Sequence, residues 1–134
     1  MINSIKVTIL LLTFAAVFTT CSTAPSDISS DLSAPELIQR AQEASDRNRY
    51  KTSLLYYEAV LERYAFDLNY VCEAEYEIAF IKYKQKDYII ARAGLMSLLK
   101  HYEGPDMELL PQHFKILSNI VLEKIDVAES KRKK

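Results

Sequence analysis

Glycine and cysteine are scarce in this chain, with two of each among 134 residues. Gly94 and Gly104 are the only glycines, which excludes a glycine-rich loop of the kind that cradles a phosphate. No cysteine and histidine lie at the spacing of a metal site. His101 and His113 have no nearby serine or cysteine in a nucleophile pattern. The sequence therefore predicts a protein that is not an enzyme and that has no cofactor, metal or small-molecule substrate.

Neither sign of charge dominates the chain. Lysine and arginine together number 17 against 18 aspartates and glutamates, so the formal net charge is −1. Such a balance lacks the excess of basic side chains that nucleic acid attracts, and we expect no nucleic-acid partner. The hydrophobic content of 49% and the charged content of 26% are those of one ordinary globular domain.

The first 20 residues differ from the rest, because Lys6 is their only charged side chain. An apolar run follows it from Val7 to Phe18. As a helix this run would rise about 18 Å, which is well short of the roughly 30 Å hydrocarbon core of a bilayer. A charged start, a short apolar core and small polar residues afterwards predict a secretory signal peptide over residues 1–20.

Cys21 directly follows that run and stands between Phe18-Thr19-Thr20 and Ser22-Thr23-Ala24-Pro25. This arrangement resembles a bacterial lipoprotein signal, although Phe18 and Thr20 depart from the usual leucine and small residue. The resemblance implies that Cys21 becomes the first residue and carries a fatty-acyl anchor such as palmitate. It also implies an outer-membrane lipoprotein that faces the periplasm. Ordinary cleavage near Ala24 and an uncleaved N-terminal anchor are the alternatives.

Polar segments flank the predicted folded domain, which covers residues 35–128. Residues 21–34 are rich in small and polar side chains and predict a flexible tether behind the lipid. Residues 129–134 end in Lys131-Arg132-Lys133-Lys134, which predicts a solvated basic tail, with anionic lipid or an acidic protein patch as the alternative target. With Cys21 lipidated, Cys72 has no disulfide partner and is predicted to be a small buried residue, with intermolecular pairing or a reactive thiol as the alternatives.

Apolar residues at helical spacing predict an all-α fold. Its five helices are expected at about 33–48, 50–64, 70–84, 88–101 and 108–128, and no strand is predicted. The fifth helix is predicted to present Leu110, Phe114, Leu117, Ile120, Val121 and Ile125 to the core. The architecture is therefore two helical hairpins and a C-terminal closing helix.

The chain also repeats itself at an offset of 38 residues. This offset places Tyr50 on Tyr88, Ser53 on Ala91, Tyr57 on Leu95, Val60 on Leu98, Leu61 on Leu99, Tyr64 on Tyr102, and Ala41 on Ala79 and then Leu117. Self-similarity at a period of about 20 to 50 residues marks stacked units, because one unit cannot bury its apolar face alone. Such units usually bind partners.

The repeated pattern resembles the tetratricopeptide repeat, an α-solenoid family. The matching structural positions are Ala41, Tyr50, Ser53 and Tyr57 in the first unit and Ala79, Tyr88, Ala91 and Leu95 in the second. The run from Ala79 to Ala91 follows the form A-x-x-x-Y-x-x-x-x-D-Y-x-x-A. The period is longer than the usual 34 residues or so. Together with the leader, it most resembles the family of the outer-membrane β-barrel assembly lipoprotein BamD, and secondly the periplasmic cell-division coordinators associated with Tol–Pal.

In the resembled fold the first helix of each unit lines a groove, and this register implies candidate partner-binding residues. They are Gln42 in the first unit and Glu73, Tyr76, Phe80, Tyr83 and Lys84 in the second. The three rings at i, i+4 and i+7 form one stripe on a helix. Two interpretations of that stripe stay open at this point, namely a groove that binds a peptide and an ordinary packing surface.

The expected function is that of a lipid-anchored periplasmic scaffold that binds another envelope protein through its helical repeats. The resemblance implies the outer-membrane assembly machinery as partner. The alternative is an accessory ligand- or partner-binding subunit of a solute transport system. Co-purification discriminates between the two, because a barrel-assembly subunit would accompany the first and a solute-binding protein the second.

Replacing the candidate lipidation residue tests the membrane assignment. Cys21→Ala is expected to abolish lipid labelling and to release the protein from membranes, because no other residue of the leader offers a thiol. Radiolabelled fatty acid and membrane fractionation measure the two effects. Unchanged fractionation of the variant would reject the lipoprotein interpretation.

Overall fold

The computed structural model describes residues 28–105 and 107–132, and within these ranges the protein is all-helical with no strand. The predicted signal peptide, Cys21 and the last two lysines lie outside the described residues. No described helix combines the length and apolar character that a bilayer crossing requires. The helices are α1 (Ala34–Asp46), α2 (Tyr50–Arg63), α3 (Leu68–Lys84), α4 (Tyr88–His101) and α5 (Gln112–Arg132), with a short 3₁₀ helix at Met107–Leu109. The predicted all-α class and the number of helices are confirmed.

Capping residues fix where α1 and α3 begin. The carboxylate of Glu36 accepts hydrogen bonds from the backbone N–H of Ser33 at 2.9 Å and from its hydroxyl at 2.6 Å. These bonds lower the pKa of the Glu36 carboxyl. At α3 the carboxylate of Asp67 accepts a backbone N–H of the first turn at 3.0 Å. This cap explains why α3 begins at Leu68, before the predicted start at Tyr70.

The last helix begins later and ends later than predicted. Leu110 precedes Pro111, and the residue before a proline is disfavoured in the helical conformation. The segment before it therefore forms only the short 3₁₀ helix, and α5 starts at Gln112. At its other end α5 continues to Arg132, so residues 129–132 of the expected basic tail are helical.

The 38-residue repeat appears in the backbone of both hairpin turns. Asn48 and Lys86 are separated by that offset, and they adopt left-handed φ angles of 56° and 64°. In each turn the amide of the following residue donates to the carbonyl five residues before it, at 2.8 Å in the first turn and 3.0 Å in the second. This is the hydrogen-bond pattern of a Schellman helix end. The same turn therefore closes α1 against α2 and α3 against α4.

Side chains at equivalent positions of the two hairpins are also buried alike. The buried pairs are Ala41 with Ala79, Ser53 with Ala91, Tyr57 with Leu95, and Val60 with Leu98. Ser53, the equivalent of Ala91, is polar, and its hydroxyl donates a hydrogen bond to the backbone carbonyl of Ala41 at 2.8 Å. A repeat-like helical packing is therefore present in the structure.

Two hydrophobic clusters form the core, and α3 contributes to both. The first lies between α1, α2 and α3 and includes Leu37, Tyr57, Val60 and Ile81. The second lies between α3, α4 and α5 and includes Cys72, Tyr76, Leu95, Leu98 and Ile125. Cys72 is a fully buried free thiol, as predicted, and burial raises its pKa. The central helix thus holds the two hairpin layers together.

Part of the predicted core stripe on α5 is exposed. Leu117 and Ile120 are 37% and 41% exposed, whereas Ser118 is completely buried. The reason is that α5 contacts α3 and α4 on one side, and no further helix among the described residues covers the other. On the covered side, Arg92 of α4 donates to the carboxylates of Asp126 at 2.6 Å and Glu129 at 2.8 Å.

The end of the expected tether is packed against α2. The guanidinium of Arg63 donates to the backbone carbonyls of Ser29 at 2.8 Å and Ile28 at 2.9 Å. The hydroxyl of Tyr64 donates to the carbonyl of Leu32 at 3.0 Å. Residues 28–33 therefore belong to the folded unit and fix where the preceding chain leaves it.

A bulky residue at the closest helix contact is expected to destabilise the protein. A Cβ atom added at Gly94 of α4 would lie 3.0 Å from the Cβ of Ala79 in α3. Gly94→Val is therefore expected to lower the free energy of unfolding by about 1–3 kcal/mol, because α3 and α4 must separate. Urea denaturation followed by circular dichroism measures the change. Ala93→Val, at the exposed neighbouring position, is the control and is expected to stay within about 0.5 kcal/mol. Equal effects of both substitutions would contradict this account.

Candidate partner-binding face

One side of α3 carries polar and aromatic side chains that face α1. Glu73, Glu77, Phe80 and Lys84 follow the i, i+4, i+7 and i+11 spacing, which places them on one stripe of the helix. Gln42, Ser45 and Asp46 of α1 lie beside them, as the contacts below show. We call the surface formed by these seven residues the α1–α3 face.

Two side-chain hydrogen bonds cross the α1–α3 face. Gln42 donates its Nε2 hydrogen to Oε1 of Glu73 at 3.3 Å, and Lys84 donates from Nζ to Oγ of Ser45 at 2.8 Å. The structure therefore brings together Gln42 with Glu73, two of the candidates that the sequence placed in different repeats. These bonds join the first hairpin to the second.

Lys84 also lies between two aromatic rings. Its Nζ atom is 5.1 Å from the ring centroid of Tyr50 and 5.2 Å from that of Phe80. At these distances the ammonium is attracted to the ring faces. One end of the α1–α3 face is therefore a site where the protein itself holds a cation against aromatic rings.

The carboxylates at the middle of the face are partly desolvated. Burial is the main cause that raises the pKa of Glu73 and of Glu77, since a low-dielectric surrounding disfavours the charged form. The Lys84 ammonium opposes the increase at Glu77, whereas Glu73 and Asp46 reinforce it. Within the described ranges, neither Glu73 nor Glu77 lies in an ion pair of 4 Å or less. These two carboxylates therefore retain unused capacity to accept hydrogen bonds.

A buried hydroxyl lies close to the same carboxylates. Tyr57 of α2 is completely buried, and its hydroxyl has no hydrogen-bond partner among the described residues. Burial raises the pKa of Tyr57, and the negative charges of Glu77, Glu73 and Asp46 add to the increase. The phenol is thus a neutral donor near the acidic part of the face.

The predicted aromatic stripe divides between core and surface. Tyr76 is only 6% exposed, and its ring stacks on Phe80 at 5.7 Å and packs against Phe114 at 5.5 Å between centroids. Phe80 and Tyr83 are half-buried and stack on each other at 5.8 Å. Tyr83 also lines a surface cleft with residues of α5, on the side of α3 away from α1. Of the three rings, Phe80 is the one that belongs to the α1–α3 face.

Sequence reasoning missed Glu77 as a member of the site. The glutamates at 73, 75 and 77 alternate along the helix and suggest divergence, but the outer two are four residues apart and share one side. Glu75 points elsewhere and its carboxylate lies 3.0 Å from Nε2 of His101. The i, i+4 spacing of Glu73 and Glu77 was the signal that would have identified the pair. The role of Tyr57 depends on the packing of α2 under α3, which the spacing along one helix does not reveal.

Comparison with known proteins adds one relative. An uncharacterized protein of Treponema pallidum (strain Nichols) is 33% identical over 107 residues, which are 78% of this chain and 43% of that protein. The chain thus spans less than half of this relative's length. No protein-family model matches the chain, and no solved structure matches it.

The raised pKa of Glu77 predicts that replacing this glutamate stabilises the folded protein at high pH. Because the folded state holds the Glu77 proton more tightly than the unfolded state does, the stability linked to this group is fully present below the unfolded pKa. That stability is lost as the pH rises through the folded pKa. Glu77→Gln is therefore expected to raise the urea midpoint at pH 8 and to have little effect at pH 4. Glu62→Gln, at an exposed position of α2, is the control and is expected to leave the midpoint unchanged at both pH values. A lower midpoint of Glu77→Gln at pH 8 would contradict the dominance of burial.

Proposed function

We propose that this protein is a lipid-anchored adaptor of the cell envelope that binds another envelope protein through the α1–α3 face. Its two hairpins and closing helix act as tetratricopeptide-like units of a short α-solenoid. The leader and the lipid on Cys21 place it at the outer membrane, facing the periplasm. The proposed partner class is the outer-membrane assembly machinery, on the resemblance to the BamD-like family.

The repeated local geometry supports the tetratricopeptide-like assignment. Asn48 and Lys86 form the same left-handed turn, and the small residues Ala79 and Gly94 allow α3 and α4 to approach closely. Close approach at small residues, with large side chains between successive hairpins, is how stacked helical repeats bury a continuous core. The alanines at 41 and 79 occupy that role in both units.

The observation that carries the proposed binding function is the state of Glu73 and Glu77. A partly buried carboxylate without an ion pair has lost hydration that a positively charged donor can replace. Phe80 is half-buried beside them, and its ring holds the ammonium of Lys84 at 5.2 Å, which shows that this part of the face accommodates a cation. The α1–α3 face is therefore suited to a partner segment that presents lysine or arginine side chains.

Reversing the charges on the α1–α3 face tests this function. A Glu73→Lys and Glu77→Lys double variant is expected to reduce capture of the envelope partner by about tenfold, which corresponds to about 1.4 kcal/mol, because the partner's cations are then repelled. The measurement is crosslinking in the native envelope followed by quantitative mass spectrometry of the captured proteins. Recovery of a barrel-assembly subunit from the wild type would support the proposed partner class, and recovery of a solute-binding protein would support the transport alternative.

The matched control reverses two charges on another surface. Glu58 and Glu62 are exposed on α2 and have the same i, i+4 spacing. Their double lysine variant changes the net charge by the same amount and is expected to retain capture. Circular dichroism of both variants checks that the helices persist. Equal capture by all three proteins would refute the α1–α3 face as the binding surface.

A further inference from the structure

Four apolar side chains are exposed together at one end of the helical domain. Phe66 is 83% exposed and Leu109 is 80% exposed, and Leu68 and Met107 are 41% and 40% exposed. Phe66 comes from the connection between α2 and α3, Leu68 is the first residue of α3, and Met107 and Leu109 come from the 3₁₀ helix before α5. Phe66, Leu68 and Leu109 line a shared cleft of about 360 Å³, which shows that the two connections are neighbours. We call these four residues the anchor-end patch.

The chain that leads to Cys21 leaves the folded domain beside this patch. Arg63 lies three residues before Phe66, and its guanidinium donates hydrogen bonds to the backbone carbonyls of Ile28 and Ser29. Tyr64 holds the carbonyl of Leu32, and its ring centroid is 6.3 Å from that of Phe66. The position where the described chain begins is thus fixed at the same end of the molecule as the patch.

The number of residues between the anchor and the domain limits how far this end can lie from a membrane. Cys21 and Ile28 are seven residues apart in the sequence. Even a fully extended chain of that length spans at most about 25 Å. A lipid on Cys21 would therefore keep the anchor-end patch close to the bilayer surface. Lys131 and Arg132 lie at the far end of α5, about 30 Å from its start.

The charges next to the patch in the sequence favour a neutral lipid surface over an anionic one. Asp67 and Glu108 flank the apolar side chains, and the nearby Arg63 is already bound to backbone carbonyls. Attraction to anionic lipids needs free lysine or arginine side chains near the surface. Exposed aromatic and aliphatic side chains, in contrast, enter the boundary between headgroups and acyl chains through their apolar area.

We propose that the anchor-end patch is a membrane-contact surface, with Phe66 and Leu109 inserted into the headgroup boundary of a neutral bilayer. This inference rests on the lipid anchor of the proposed function. The lipid on Cys21 and the patch together attach the domain to the membrane. The lipid limits the distance of the domain from the bilayer, and the patch sets its orientation. The helices then point away from the bilayer, because the patch lies at their shared end.

Tryptophan substitution tests the contact directly, since the chain has no tryptophan of its own. Phe66→Trp and Leu109→Trp are made singly in the full chain, purified with its lipid and reconstituted into phosphatidylcholine vesicles. In each, the emission maximum is expected to shift to shorter wavelength, and brominated phosphatidylcholine is expected to quench most of the emission. Ile89→Trp is the matched control, because Ile89 is 81% exposed at the opposite end of the helices. Its emission is expected to stay unquenched.

Mass spectrometry of Cys21 separates failure of this inference from failure of the anchor. Acylated, vesicle-bound protein with no quenching at either patch position overturns the contact surface and leaves the anchor intact. A missing acyl mass refutes the anchor and the inference with it. A shifted emission maximum without bromine quenching, together with a dimer in sedimentation velocity, would assign the patch to a second copy of the chain and overturn the membrane contact. Quenching at all three positions would also overturn it.

Discussion

The packing of α3 on both of its sides is the constraint on which the rest of the structure depends. Ala74 and Ile81 lie in the cluster with α1 and α2, whereas Tyr76 and Ala79 lie in the cluster with α4 and α5. With two sides occupied by neighbouring helices, α3 reaches solvent along narrow stripes, and the stripe beside α1 carries Glu73, Glu77 and Lys84. The burial that stabilises the domain and the partial desolvation of Glu73 and Glu77 therefore have one physical cause.

The same constraint explains why the first hairpin depends on the second. The hairpins are joined mainly by the packing of α2 against α3, and side chains between α1 and α3 add to that junction. Across the junction between α1 and α3, Gln42 donates one hydrogen bond and Ser45 accepts another. The ammonium of Lys84 is also attracted to the ring of Tyr50. A partner that binds the α1–α3 face would contact both hairpins at once and would be sensitive to their relative position.

The 38-residue repeat predicted the burial of residues that have the same neighbouring helices in both hairpins. It failed for residues whose neighbouring helices differ. Ala41 and Ala79 have the same burial because each is covered by the second helix of its own hairpin, but the equivalent Leu117 has no such helix beside it in the described part of the chain. Helical spacing placed Phe80 on a stripe, yet it could not separate Phe80 from Tyr76, which depends on where Phe114 packs. The sequence did not predict that Phe66 and Leu109 lie beside one another, because the fold decides which connecting segments are neighbours.

The ammonium of Lys84 already places a positive charge on the α1–α3 face. Its ammonium lies near the ring of Phe80 and lowers the pKa of Glu77 against the effect of burial, so it supplies from within the chain part of what a cationic partner would supply. A lysine side chain is long and flexible, and its three donors can be redirected at little cost when a second cation approaches. The partner's charge would then displace Lys84 toward Ser45 and Tyr50, which already bind it, and would gain the carboxylate of Glu77, whose charge Lys84 stabilises only in part. Under the proposed function, a partner's cation would therefore compete with Lys84 for Glu77, and the strength of binding would depend on how well the partner's side chain fits Glu73 and Glu77.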